Sequence, residues 1–283
     1  MKRIFKILLF SLISINVFGT AQIPDLLIYN GDTLLLHSCP LGDYPNQDFI
    51  TPQNLFGSNG CSFTACWRNY IATWEIINSE LYLCEIKNVC YPMFIQSVGA
   101  SFVDEDSIGS EYADLKALFP DKFKDGKVKA DWVNRKMIAP KGKLLYYIHA
   151  GFESIYEIEF EFHIKKGQII ETKIFDNTKT KKSEYKDDET LRRFVYSNIR
   201  WKKLPKQEKP IKVYVEFSAN EKGFIDVAVI RKGYNKIFDK EALRVIKSIP
   251  NWEIVYKHGE FSRNSYIFQI EFSEEKQQKY KKN

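Results

Sequence analysis

Between Tyr156 and Phe175 the chain reads YEIEFEFHIKKGQIIETKIF, and no other stretch limits the fold as strongly. In an extended chain successive side chains point to opposite faces. Tyr156, Ile158, Phe160, Phe162 and Ile164 therefore share one side, and Glu157, Glu159, Glu161, His163 and Lys165 share the other. A helix would scatter the same residues around its circumference. Lys166-Gly167 supplies a two-residue turn, so the segment is expected to form an antiparallel hairpin with one face buried and one face wet.

Other runs in the same part of the chain agree. Trp74 to Ile77 and Leu81 to Ile86 flank Asn78-Ser79-Glu80 as a second hairpin. From Ser110 to Phe119, Tyr112, Leu115 and Leu118 or Phe119 recur at helical spacing, and Pro120 closes the run, which predicts a short helix. Residues 22–182 are expected to form a mostly-β domain.

Ahead of it, Lys2, Arg3 and Lys6 border an apolar run from Ile4 to Phe18 that Ser11, Ser14 and Asn16 interrupt. A bilayer span needs about 20 mostly apolar residues, so this run is short for one. It ends in Gly19-Thr20-Ala21, small residues of the kind a signal peptidase reads. Met1 to Ala21 is therefore expected to be a secretory signal, which places the mature chain in the periplasm or cell envelope. The alternative is an uncleaved anchor, the only route by which this sequence predicts membrane association.

The net charge of +6 is partly the signal's: without Lys2, Arg3 and Lys6, 39 of the 42 basic residues face 36 acidic ones, a net +3. Lysines are scattered among glutamates and form no stripe interleaved with aromatics, which speaks against a nucleic-acid partner. Five cysteines, Cys39, Cys61, Cys66, Cys84 and Cys90, lie in the first third. In an exported chain they predict one or two disulfides with a thiol left over, and the pairing stays open. There is no C-x-x-C pair, so zinc is not expected.

The row of glutamates beside His163, with His149 and Glu153 nearby in sequence, is the one cluster that invites a hydrolase or metal reading. Glu161 and His163 share a strand face and could reach one ion. A charged row on a wet face equally serves solubility and edge protection, and that reading is preferred. No G-x-x-x-x-G-K, H-E-x-x-H or nucleophile elbow occurs, so neither an enzyme nor a cofactor is expected.

After the polar run TKTKKSEYKDD, from Thr178 to Asp188, the pattern changes. Leu191, Phe194, Val195, Ile199 and Trp201 mark a short amphipathic helix. Lys212 to Phe217 and Phe224 to Ile230 form a hairpin through Asn220-Glu221-Lys222-Gly223. In FDKEALRVIKSIPNW, Asp239 stands as the expected N-cap, and Ala242, Leu243, Ile246 and Ile249 form one stripe. Pro250 stops the helix, and Trp252 turns to a new packing direction. Tyr266, Phe268, Ile270 and Phe272 alternate with Ile267, Gln269 and Glu271 as a final strand. Residues 273–283 read as a polar tail.

This order of helix, strand, strand, helix, strand resembles the C-terminal domain of TonB over residues 187–272. The likeness rests on LRRFVYSNIRW, on KVYVEFSANEKGFIDVAVI and on DKEALRVIKSIPNW with its Asp239, Glu241, Ala242, Arg244, Pro250 and Trp252. Gly259 in the next turn and YIFQIEF complete it. The resemblance implies an α+β chain whose small second domain packs two helices on a three-stranded antiparallel sheet. It also implies a protein or peptide partner of the cell envelope, such as an outer-membrane receptor, bound along the edge strand Tyr266, Ile267, Phe268, Gln269, Ile270, Glu271 and Phe272. Lys202 and Phe268 stand where the family often has proline. The ten prolines are spread along the chain, with no proline-rich spacer of the kind an energy transducer needs. A binding module is thus expected ahead of a TonB-type transducer. The segment CWRNYIATWEIINSELYLCEI is similar to uncharacterised exported bacterial proteins, which implies no activity.

Overall fold

The computed structural model describes residues 19–91 and 109–280. The expected signal therefore lies outside the described residues, apart from Gly19 to Ala21. Among the described residues no helix is long and apolar enough to cross a membrane.

The first part of the chain forms β1 (Asp25–Tyr29), β2 (Asp32–Leu36), the single turn α1 (Pro52–Phe56), β3 (Tyr70–Ile77) and β4 (Glu80–Asn88). The single turn α2 (Leu115–Leu118), β5 (Phe123–Lys124), β6 (Lys127–Lys129), β7 (Arg135–Tyr146), β8 (Ile155–Lys165) and β9 (Gln168–Asp176) follow. They make one curled sheet in the order β2-β1-β3-β4-β9-β8-β7, with β6 on β4 and β5 on β6. Its ends nearly meet, because the His37 N–H just past β2 donates to the Ile138 carbonyl of β7 at 2.8 Å. β4 and β9 share only the pair Glu80↔Gln168. Beyond that point β9 has β8 on one side and no strand on the other among the described residues. The curl encloses Leu27, Trp74, Leu81, Leu83, Met137 and Phe162, all fully buried.

Both predicted hairpins form. Asn78 and Ser79 take φ of 49° and 62°, and Lys166 and Gly167 take 49° and 72°, the left-handed pair that lets a two-residue turn follow the twist of its strands. Gly167 has a second reason to lack a side chain. A Cβ there would lie 2.6 Å from the Ala130 carbonyl oxygen, because the turn tucks against the loop after β6.

Two expectations change here. The helix predicted from Ser110 to Phe119 shrinks to α2, whose first turn Asp114 caps by accepting the Lys116 and Ala117 N–H groups. Tyr112 instead forms a lone antiparallel bridge with Lys87 of β4, and the Glu111 carbonyl takes the Asn88 N–H. Sheet edge bonds outcompete a helix too short to nucleate alone. The face of β8 expected to be wet is also half covered: Glu159 is 4 % exposed. The hairpin of Val255–Lys257 and Glu260–Ser262 in the second unit packs over it, with His258 against Glu159.

That second unit holds α3 (Asp188–Asn198), β10 (Ile211–Ala219), β11 (Ile225–Lys232) and α4 (Lys236–Lys247). It continues with β12 (Val255–Lys257), β13 (Glu260–Ser262), β14 (Tyr266–Phe272) and α5 (Glu274–Tyr280). Its sheet runs β11-β10-β14, all antiparallel. Val213, Val215 and Phe217 of β10 and Ile270 and Phe272 of β14 meet Val195, Phe238, Ala242 and Ile246 of the helices in a separate core. The architecture is therefore mixed α+β, a larger sheet-built N-terminal region followed by a smaller region of helices and a three-stranded sheet.

The α4 stripe faces that core as expected, with Phe238 and Val245 added to it, but its N-cap differs. Asn235 accepts the Ile237 and Phe238 N–H groups, and the helix starts at Lys236. Asp239 lies inside the first turn, where its carboxylate takes the Tyr234 N–H at 2.9 Å. Ile199 and Trp201 fall beyond α3, Trp201 within a short 3-10 turn. Residues 274–280 are the helix α5, and Tyr280 stacks on Tyr196 of α3 with ring centroids 5.2 Å apart.

The polar run between the units is stitched rather than loose. Lys181 exchanges both backbone bonds with Ile254, at 2.8 and 3.0 Å. The β12–β13 hairpin then reaches the N-terminal sheet. His258 Nδ1 lies 2.8 Å from a Glu159 carboxylate oxygen, Lys257 pairs with Glu153, and the Asn177 side chain accepts the Gly259 N–H at 2.9 Å. Gly259 holds φ of 74° in this turn, close against Phe175.

Candidate functional site

β14 pairs with β10 without interruption from Tyr266↔Phe217 to Phe272↔Ile211, and no described strand lies on its other side. Amides of an antiparallel strand point alternately toward the two sides. The Glu271 N–H points away from β10, since it donates to the Tyr196 hydroxyl of α3 at 3.1 Å. By alternation the Ile267 and Gln269 N–H groups face the same open side, and those of Tyr266, Phe268, Ile270 and Phe272 serve the sheet. The side chains divide likewise. Phe268, Ile270 and Phe272 are buried, while Ile267 is 66 % exposed. Gln269 lies on the outer face and accepts the Tyr214 hydroxyl at 2.7 Å.

Tyr196 thus closes the C-terminal end of the edge, and its aromatic side chain is held between α5 and β14. Arg192, one turn earlier on α3, sits 5.5 Å from the Phe268 ring. What is left open is the stretch from Tyr266 to Gln269.

The other residues on which the expected resemblance to TonB rests lie elsewhere and hold the unit together. Glu241 accepts the Arg200 N–H at 2.7 Å and both the Nε and Nη2 groups of Arg244, while Arg244 also donates to the Asn198 carbonyl at 2.6 Å. This rivets α4 to the end of α3. Burial by itself would raise the Glu241 carboxyl, but the Arg244 guanidinium and the Arg200 N–H outweigh it and hold the group below the usual carboxylate range. Ala242 is fully buried where the helix meets the sheet, and Pro250 follows the last helical turn. Trp252 packs edge-on to Phe217 and Tyr266, with centroids at 4.9 and 5.2 Å, and its backbone N–H donates to the Gly223 carbonyl.

In the N-terminal region, Glu161 and His163 do meet, 2.5 Å apart through Nε2, and His163 Nδ1 is 2.8 Å from Glu171 of β9. A plain two-residue turn would set Ile170 opposite His163. A bulge in β9 places Glu171 there instead, so sequence spacing alone misses it. His149 is not part of this group: it bonds to the Tyr147 hydroxyl, and Glu153 is taken by Lys257. No group of three or more His, Cys, Asp or Glu side chains among the described residues is placed to hold a metal ion.

Cys61 and Cys90 form a disulfide, with Cα atoms 5.8 Å apart. One bridge among five cysteines leaves three thiols, on Cys39, Cys66 and Cys84. Cys66 donates to the Tyr70 carbonyl, and Cys84 faces a Glu75 carboxylate oxygen. Burial pushes Cys39 and Cys84 up to about 11, away from thiolate chemistry.

No family model, no curated protein and no solved structure matches this chain. The likeness to TonB therefore rests on the residues quoted above.

Proposed function

We propose that the chain is an exported protein of the cell envelope whose C-terminal unit binds an extended segment of another polypeptide by strand addition along β14. The observation that carries this reading is the open stretch from Tyr266 to Gln269, with two amides facing outward and Ile267 exposed beside them. A peptide paired there would gain main-chain hydrogen bonds at Ile267 and Gln269, and its side chains would lie along Ile267 and the outer face of the sheet. Binding of this kind needs no catalytic group and no cofactor. Glu241, Ala242, Arg244, Pro250 and Trp252 hold the unit together and make no contact with the ligand.

The test places a photo-cross-linking side chain at Ile267 of the intact chain in its own cells. The expected product is an adduct with an envelope polypeptide that is lost when Gln269→Pro removes an outward amide, while the circular dichroism spectrum stays that of the native fold. No adduct at Ile267, or an adduct undiminished in the folded Gln269→Pro chain, would sink the reading.

A further inference from the structure

We infer that β9 is a self-pairing edge through which two copies of this chain associate about a two-fold axis centred on Thr172. This inference stands apart from the peptide site, since it concerns the other sheet and a different strand. Past Gln168, β9 is paired with β8 alone among the described residues, and Ile170 and Ile174 are 65 % and 64 % exposed. Edge strands of this length are normally blunted, and a lysine is the usual device. Here Lys173 stands two residues from Glu171, with Thr172 between them.

That spacing makes the strand complementary to itself. When two copies of Ile170-Glu171-Thr172-Lys173-Ile174 run antiparallel with Thr172 opposite Thr172, each Glu171 faces the other copy's Lys173. Ile170 is the bulged residue of β9 and only flanks the other copy's Ile174, so the favourable cross-strand pairs are the two Glu171–Lys173 pairs about Thr172. A slip of one residue sets charge against isoleucine, which disfavours the neighbouring registers. Both charged side chains are accessible, Glu171 at 49 % and Lys173 at 42 %. The ladder cannot extend toward the turn, because the Ile169 N–H is already taken by the Ser79 carbonyl. The contact is therefore short, and the dimer weak and concentration-dependent.

Sedimentation equilibrium on the purified chain tests this with Glu171→Lys and Lys173→Glu, each first verified as folded by circular dichroism. The native chain is expected to dimerise. Each single variant faces like charges across the axis and should lose at least tenfold in dimer affinity. An equimolar mixture of the two variants restores both opposite-charge pairs, and should associate about as well as the native chain. The mixture separates the interface from any change inside the hairpin, where Glu171 also meets His163. A native chain that stays monomeric up to about 1 mM leaves that edge to solvent or another strand and overturns the proposal. So do single variants that dimerise like the native chain, or a mixture no better than its components.

Discussion

His37 shows how much one side chain's setting can decide. Its ring stacks on Phe152 at 5.3 Å and meets Tyr156 edge-on, where β2 closes against β7. Burial there disfavours the imidazolium and lowers its pKa from 6.5 to about 4, against an opposing pull from Glu153. The folded state thus binds this proton less readily than the unfolded chain does. Stability from the neutral ring is complete above pH 6.5 and is lost as pH falls from 6.5 to about 4, by up to about 3 kcal/mol. Urea unfolding of the native chain and of His37→Phe at several pH values should show the difference between them changing through that window. A difference independent of pH would mean the ring is not held neutral. Glu241 has the same sign for a different reason: its carboxylate is favoured in the fold by Arg244 and the Arg200 N–H. Its contribution is present above the usual carboxylate range and is lost as pH falls through the lowered value.

The helix α4 owes its face to periodicity and its position to a few polar bonds. The apolar residues would let it lie on any flat apolar sheet, but the Glu241–Arg244 pair and its bonds to Asn198 and Arg200 set where it meets α3. Arg244→Ala leaves a nearly buried carboxylate with one N–H partner and should cost about 1–3 kcal/mol, the lower part of that range because the guanidinium is partly exposed. Glu241→Ala should cost a similar amount, and the double variant less than the sum, because the pair acts as one unit. Denaturant melts of the four proteins measure this coupling; simple additivity would show that the rivet contributes nothing as a pair.

The β12–β13 hairpin laid across β8 and β9 joins the two units. Asn177 is the pivot. It is fully buried, donates to the Tyr156 carbonyl at 3.0 Å within the N-terminal region and accepts the Gly259 N–H of the C-terminal one. Asn177→Ala orphans both groups and should destabilise the chain by about 1–3 kcal/mol. Because each unit has its own core, the loss should also separate their unfolding. Calorimetry is expected to show one heat-absorption peak in the native chain and two in the variant. A single peak in both would mean that other contacts, such as the Lys181–Ile254 pairing, suffice to hold the units as one cooperative body.

Much of this architecture was legible in the residues themselves, because it depends on neighbours in sequence. Alternation in Tyr156 to Ile164, the turn pairs Asn78-Ser79 and Lys166-Gly167, and the stripe from Ala242 to Ile249 are local patterns. Backbone sterics and the two-fold and 3.6-fold periods translate them directly into strands, turns and a helix. The α+β class and the edge position expected for the last strand came from what the resemblance implies, not from these local patterns. What tertiary structure alone decided involves partners distant in sequence, whose free energy no local window contains. Asn235 displaced Asp239 as N-cap because Asp239 was needed by the Tyr234 N–H at the β11–α4 junction. A bulge moved Glu171 opposite His163, and the far hairpin turned Glu159 from a solvated residue into a buried one. Tyr196 reached 75 residues along the chain to cap Glu271, leaving only the first half of β14 open. Periodicity tells which residues share a face, and only the packed chain tells what comes to cover it.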